Sequence, residues 1–341
     1  MRTLGWDVGG AHLKAALAEN GAIVKVWQEP TPIWKGLHHL DAALTTILGK
    51  VGPVDRQAVT MTGELSYIFA DRDEGVRELT RILVERLGED LRLYAGEAGL
   101  VPAGQPGPQA MRIASANWHA TAALTAARID EALFLDMGST TTDIVPVRGG
   151  AVLATGHTDA ERLLAGELVY QGYTRTALMA VATELPFLGR TTPLMAEFFA
   201  GMADVQRLLG GLDEDDDQHP AADGKEKTPD ASRARLARMV GRDASEAPPE
   251  AFEQLARAFA EAQLRRIHDA VQLVLSRGQL SGDAPVVVAG AGRPVLKRLA
   301  ARLDRGVVDF ADLLDCRSDL RDAACRAAPA AALALLGEAA A

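Results

Sequence analysis

Cysteine is nearly absent: Cys316 and Cys325 are the only two in 341 residues. Two cysteines make neither a disulfide framework nor a metal knuckle, so a reducing, cytoplasmic setting is expected. Basic charge is also in deficit, with 36 Lys and Arg against 46 Asp and Glu and a formal net charge of −10. No Lys/Arg cluster interleaved with aromatics offsets this, which argues against nucleic-acid partners. Long apolar runs are missing, and the N-terminus enters a strand pattern without a basic segment followed by an apolar one. Neither a membrane span nor a leader peptide is therefore expected. The Ala-rich tail from Ala327 is short and carries Pro329 and Glu338. What is present in quantity is core-forming material, 48% hydrophobic residues. At this length one core seldom suffices, so two lobes are expected, 1–128 and 129–341.

An internal repeat supports that division. "GWDVGGAHLKAALAENGAIVKV" from Gly5 and "FLDMGSTTTDIVPVRGGAVLAT" from Phe134 align without a gap at an offset of 129 residues (7 to 136). The offset brings Gly9 onto Gly138, Gly10 onto Ser139 and Asn20-Gly21 onto Gly149-Gly150. Each copy reads as a strand ending in Asp, a tight turn of small residues, a second strand, a two-residue hairpin turn and a third strand. A repeat of this period implies two similar halves rather than a solenoid.

Between and after the copies, helical spacing is expected over Lys35–Leu48, Glu74–Leu87, Asn117–Arg128 and Phe252–Ser276, and a buried strand from Gln57. Pro102–Pro108 reads as a loop, Ala160–Leu209 as mostly helical with breaks at Pro186 and Pro193, and "LDEDDDQHPAADGKEKT" (212–228) as a mobile, solvated acidic insertion. "APVVVAGAGRPVLKRL" from Ala284 reads as strand, Gly290-Ala291-Gly292 turn and helix. Such a turn serves either helix-to-sheet packing or the close approach of a nucleotide.

The chemistry of the paired turns follows from their residue types. Small residues leave backbone amides uncovered, and successive uncovered amides favour phosphate. Asp7 and Asp136 supply hard oxygens suited to Mg²⁺, which keeps waters and phosphate oxygens as its other ligands. Gly9, Gly10, Gly138, Ser139, Thr140 and Thr141 are then expected phosphate contacts. Two such turns across a cleft would clamp a polyphosphate from both sides. Lys14 and His12 share one face of the second strand. Lys14 is either a phosphate ligand or an ordinary strand lysine, and its counterpart in the second copy is Asp143.

These three segments resemble the two phosphate motifs and the adenosine motif of the actin, Hsp70 and sugar kinase superfamily. The resemblance implies an α/β, two-lobed actin-like fold with duplicated β-meander halves and a central cleft. More closely, "GWDVGGAHLKAAL", "TMTGELSYIFADRDEGV", "ASANWHATA", "FLDMGSTTTDIVPV", "GYTRTALMA" and "DGKEKTPDASRARLARMVGRD" resemble the hydantoinase/oxoprolinase-related synthases of methanofuran biosynthesis. That family implies a diphosphate-releasing transferase joining an aminomethylfuran diphosphate to the phenol of a tyramine- or tyrosine-derived partner, with diphosphate-bound Mg²⁺. ATP could bind but is not expected to be consumed. The runner-up is an ATP-dependent kinase or an oxoprolinase-like amide hydrolase.

Within that picture Asp7, Asp136, Lys14, Asp143 and His119 are the catalytic candidates, His119 as acceptor of the phenolic proton. Asn117 either caps its helix or reaches the cleft, Trp118 could stack on an aromatic substrate, and Gly290 and Gly292 would approach the organic part of the ligand. The acidic insertion could be a lid or a cation site, and Arg233, Arg235 and Arg238 either contact substrate or form a solvated face. Small-molecule partners are expected, and self-association is left open.

Overall fold

The structure, a computed structural model, describes residues 1–104 and 107–339. Residues 105–106 of the Pro/Gly-rich loop and 340–341 of the Ala-rich tail lie outside the described residues.

The first copy of the repeat forms β1 (Arg2–Val8), β2 (His12–Glu19) and β3 (Ala22–Pro30), joined at the hairpin by Asn20 and Gly21, both at positive φ. Strands β4 (Arg56–Met61), β5 (Arg92–Tyr94) and β6 (Leu100–Pro102) extend the sheet past β1. The second copy forms β7 (Glu131–Met137), β8 (Thr142–Arg148) and β9 (Ala151–Val152), again with a two-glycine turn at 149–150, followed by β10 (Leu168–Val169). A separate hairpin, β11 (Glu184–Phe187) with β12 (Arg190–Pro193), precedes β13 (Val286–Ala289), β14 (Val307–Asp309) and β15 (Asp315–Cys316). The two main sheets run β15-β3-β2-β1-β4-β5-β6 and β10-β8-β7-β13-β14. In each, a strand that ends in the acidic turn sits centrally, antiparallel to the next strand and parallel to a later one. This is the duplicated order the repeat implied.

Alternation along β1 explains how its two faces are used. Leu4, Trp6 and Val8 pack under α1 (His38–Val51) and α2 (Arg72–Leu87), with Leu40, Ile47, Val76 and Leu79. The short α3 (Ala110–Ile113) precedes α4 (Asn117–Arg128), whose bounds match the sequence expectation. Ala-rich surfaces of α4 and of α11 (Ala328–Ala339) lie between the two sheets, in a core shared by Ala16, Phe134, Val145 and Ala330. Small side chains let α11 lie directly on β1: a methyl group on Gly5 would overlap the Ala330 carbonyl oxygen. The second sheet is covered on its other face by α8 (Pro249–Leu275) and α9 (Arg293–Arg302) through Ile267, Val271, Val288 and Leu296. Because β15 pairs with β3 and α11 lies on β1, residues from 315 onward pack with the first sheet, so a single cut at 128/129 does not separate the lobes.

Two readings of the second lobe are corrected. Ala160–Leu209 is not mostly helical: its helices are α5 (Asp159–Ala165), a single 3-10 turn at Leu178–Ala180 and α6 (Met202–Leu208), with β10 and the β11–β12 hairpin between α5 and α6. Leu188 and Gly189 both take positive φ at the hairpin turn, and both prolines sit in an isolated two-stranded ribbon, where a missing N–H is tolerated. Nor is the acidic insertion a freely solvated loop. Arg207 of α6, its side chain 4% exposed, pairs with Glu214 at 2.7 Å and Asp217 at 2.6 Å. Arg326 of α10 (Arg321–Arg326) pairs with Asp213 at 2.6 Å and Asp216 at 3.4 Å. The run is a strap whose negative charge is matched from beneath. Arg235, on α7 (Pro229–Met239), is fully buried, held by Asp204 at 2.8 Å and Asp223 at 3.0 Å. It is therefore neither a solvated cation nor a substrate contact, whereas Arg238 is exposed and Arg233 pairs with its neighbour Asp230.

Candidate active site

The two acidic turns repeat each other bond for bond. Gly9 N–H donates to the His12 carbonyl at 3.0 Å, and Gly138 N–H donates to the Thr141 carbonyl at the same distance. Closing each turn this way uses the first amide and leaves the following ones unspent. Those of Gly10 and Ala11 in one turn, and of Ser139, Thr140 and Thr141 in the other, donate to no acceptor among the described residues. Both turns line one cavity of about 690 Å³ between the lobes. Unspent N–H groups on two turns of one cavity are the kind of donor that a phosphate-type anion would use.

The strand registers place the charged groups behind these amides. Asp7 lies opposite Lys14 across β1 and β2, and Asp136 lies opposite Asp143 across β7 and β8. The same position is thus Lys in one half and Asp in the other. All three acids are at least 91% buried. Burial pushes Asp7 up to about 6, with Lys14 pulling back and Asp143 adding to the rise. Asp136 is pushed up to about 7 by burial and by Asp143, against the opposing pull of Lys14. Asp143 is also raised by burial, although Arg162 donates to its Oδ1 at 2.9 Å and holds it down in part. Lys14 lines the cavity while its ammonium donates to the Arg326 carbonyl at 2.8 Å.

Among the described residues, no three His, Cys, Asp or Glu side chains form a ready-made cation cage. The donor set still fits a cation held mainly through ligand and water oxygens: Asp7 Oδ1 is buried with no hydrogen-bond partner, and the acids around it are destabilised as anions by burial.

One wall of the cavity is aromatic. Trp34 lies under the Arg175 guanidinium, 4.7 Å from ring centre, and His12 packs 4.9 Å from His219 of the strap. Burial, with Lys14, His219 and Arg175 nearby, brings His12 down to about 2, so it is neutral, and its Nε2 is buried with no hydrogen-bond partner. Tyr67 and Tyr170 stand at the rim, 80% and 49% exposed.

The structure does not bring every expected residue to this cavity. Asn117 lines it, and its Oδ1 accepts the Trp118 amide at 2.8 Å at the start of α4. Trp118 is buried with Arg162 stacked over its ring at 3.9 Å, which leaves that face unavailable to a substrate ring. His119 is buried too, bonded through Nδ1 to the Tyr94 hydroxyl at 2.9 Å and pushed down to about 4 by burial. It lies beneath the wall rather than on it and does not reach a phenol in the cavity. Gly290 and Gly292 are used for packing: Gly290 takes φ +83°, and a side chain there would overlap the Met137 carbonyl and the Asp136 carboxylate. Gly292 N–H donates to the Met137 carbonyl at 2.9 Å. The turn thus backs the Asp136 carboxylate and is absent from the cavity lining.

Several site residues escaped sequence reasoning. Arg162, Arg175, Trp34 and Ser115 line the cavity, and Glu64 is buried behind Ser115, bonded to its hydroxyl at 2.8 Å. Glu64, Ser115 and Arg175 stand in "MTGEL", "SANW" and "GYTRT", segments distinctive enough to suggest a family but silent about which side chain faces the ligand.

The duplicated sheets and the two-sided cleft define a two-lobed α/β protein of the actin-like ATPase fold. A solved acetone carboxylase, in its nucleotide-free form, shares that fold with a TM-score of 0.52 at 11% identity, over 86% of this chain and 66% of that one. Residues 55–310 match the hydantoinase/oxoprolinase family model, and the chain belongs to that family. It is 30% identical, over 86% of its own length and 87% of the relative's, to the (4-{4-[2-(gamma-L-glutamylamino)ethyl]phenoxymethyl}furan-2-yl)methanamine synthase of Methanocaldococcus jannaschii. A protein of the same name from Methanococcus vannielii is 29% identical over 51% of this chain and 76% of its own length. Among the described residues no helix is long and apolar enough to cross a membrane.

Proposed function

We propose that this protein is a transferase that couples a furan-methyl diphosphate to the phenol of a tyramine-derived partner, releasing diphosphate and forming an aryl ether. The observation that carries the reading is that one cavity combines two facing anion-binding turns with an aromatic wall, in a chain related along most of its length to a synthase named for a phenoxymethylfuran product. A diphosphate joined to a flat ring needs both halves of such a site.

The roles follow from placement. The amides of Gly10, Ala11, Ser139, Thr140 and Thr141 hold the diphosphate oxygens, so charge that builds on the leaving group meets dipoles already oriented towards it. Lys14 lowers the cost of the adjacent carboxylates. Mg²⁺ held by Asp7 and Asp136 would supply the remaining neutralisation at diphosphate. Tyr67 and Tyr170 at the rim position the furan and the phenol, and Arg175, stacked on Trp34 in the cavity lining, suits a carboxylate on a glutamylated partner. Bringing the two rings into line is itself a large part of the rate enhancement.

The test is incubation of purified protein with Mg²⁺, a furfuryl-type diphosphate and a phenol acceptor, assaying diphosphate and ether. Ether and diphosphate in equal amounts, without ATP, are expected. Substrate-dependent ATP hydrolysis with no ether would instead indicate a kinase or amide hydrolase.

A further inference from the structure

Glu64 and Ser115 take no part in the diphosphate clamp, yet they are built into its wall. Glu64 follows β4 in a single helical turn, Gly63–Leu65, and is 1% exposed. Its Oε1 accepts from Ser115 Oγ at 2.8 Å, while Oε2 is buried with no partner. Ser115 lies on the cavity surface and takes φ +52°, a conformation that a residue with a side chain holds only when its surroundings enforce it. The backbone of α2 at Gly75 closes over Glu64 from behind. A half-satisfied buried carboxylate is costly to fold around, and this one has a single hydroxyl between it and the ligand space.

We propose that Ser115 and Glu64 form the proton-accepting pair for the phenol, an inference that rests on the transferase reading above. The phenolic proton passes to Ser115 Oγ as the Ser115 proton passes to Glu64 Oε1. The phenolic oxygen uses the electron pair so released to bond the furan methylene carbon. The bond from that carbon to the diphosphate oxygen breaks, and diphosphate leaves with its electrons. Glu64 then returns the proton to water. Ser115 touches the substrate, and Glu64 acts through it.

The alternatives in the site are weaker. His119 is committed to Tyr94, His12 is too acidic, and Asp143 is tied to Arg162. Glu64 is pushed up to about 7 by burial, despite the Ser115 bond, so it exchanges a proton near neutrality. The groups facing it are Asp159 of α5, which raises it further and is itself 3.7 Å from Arg72 of α2, and the Tyr170 phenol.

The experiment compares wild type, Ser115→Ala, Glu64→Gln and Glu64→Asp with two acceptors, an ordinary alkylphenol and an electron-poor phenol already ionised at the assay pH. With the ordinary phenol, Ser115→Ala and Glu64→Gln should lose about a hundredfold in kcat, and Glu64→Asp should recover part of it. With the ionised phenol the losses should shrink to a few-fold. Wild-type kcat on the ordinary phenol should rise through about pH 7. Asp7 and Asp136 titrate in the same range and shape the profile with either acceptor, so in wild type the limb should be steeper with the ordinary phenol than with the pre-ionised one, a difference that stands even if a variant misfolds and that should vanish in Glu64→Gln. Equal losses with both acceptors, or an unchanged limb in Glu64→Gln, would overturn the pair while ether formation by wild type keeps the reaction. No ether from wild type with either acceptor would overturn the reaction and the pair with it.

Discussion

Replacing Asp7 with Asn should make the unliganded protein more stable and the liganded one nearly inert. The Asp7 carboxyl moves from an ordinary 3.8 to about 6 on folding because burial disfavours its anion. A rise of about two units corresponds to roughly 3 kcal/mol, since each unit is worth 1.36 kcal/mol. Because the folded value lies above the unfolded one, the folded state holds the proton more tightly. Wild type is therefore favoured below about pH 4 and gives up that stability as pH climbs towards 6. Asn carries no charge to bury, so the difference between variant and wild type should be near zero at pH 4 and reach about 3 kcal/mol above pH 7. Calorimetry in EDTA, without diphosphate, should show a melting temperature higher by at least about 4 °C at pH 8. With Mg²⁺ and diphosphate the order should reverse, and turnover should fall about a hundredfold, the loss expected from one preorganised charge-stabilising group. A variant that melts no higher than wild type at pH 8, or by a margin that does not shrink towards pH 4, would refute the argument.

Two further outcomes probe the frame. Arg207→Ala removes the buried cation beneath the acidic strap, leaving Glu214 without its cation and Asp217 with Lys227 alone; limited proteolysis between residues 212 and 228 should become several-fold faster than in wild type, and equal rates would mean that the ion pairs do not hold the strap. Gly5→Ala drives a methyl into the α11 backbone and should cost on the order of 2 kcal/mol, read as a lower urea midpoint, whereas an unchanged midpoint would mean that α11 shifts freely on the sheet.

The sequence was most informative where a local pattern decides the outcome. The 129-residue offset survives as strand register and as the Gly9–His12 and Gly138–Thr141 hydrogen bonds, because a strand, its turn and its partner are contiguous in the chain. It was least informative where partners are remote. "DEDDD" reads as solvated until Arg207 and Arg326 are seen beneath it. His219 meets His12 across two hundred residues of chain, and Glu64 finds Ser115 from another element. The Leu/Ala-rich stretch after Ala160 mimics helical spacing, although the two residues at positive φ, Leu188 and Gly189, turn it into a hairpin. Trp118 and His119 are hard to place from sequence for a related reason: α4 is buried on nearly every side, so a polar or aromatic residue near its start gives no sign of which direction the ligand lies.

The seating of α11 on β1 also bears on how the chain comes into being. Asp7 at the end of β1 and the turn of Gly9 and Gly10 precede by more than three hundred residues the segment 328–339 that covers one face of their sheet, and β15 closes its edge. A nascent chain still lacking those residues holds β1, β2 and β4 with an apolar face bare, so the first phosphate turn cannot be locked in place by local contacts alone. Its closure waits for a contact spanning more than three hundred residues, the kind that slows folding. Until then this face has no cover from the chain itself, the kind of exposure that makes partly folded species prone to aggregate.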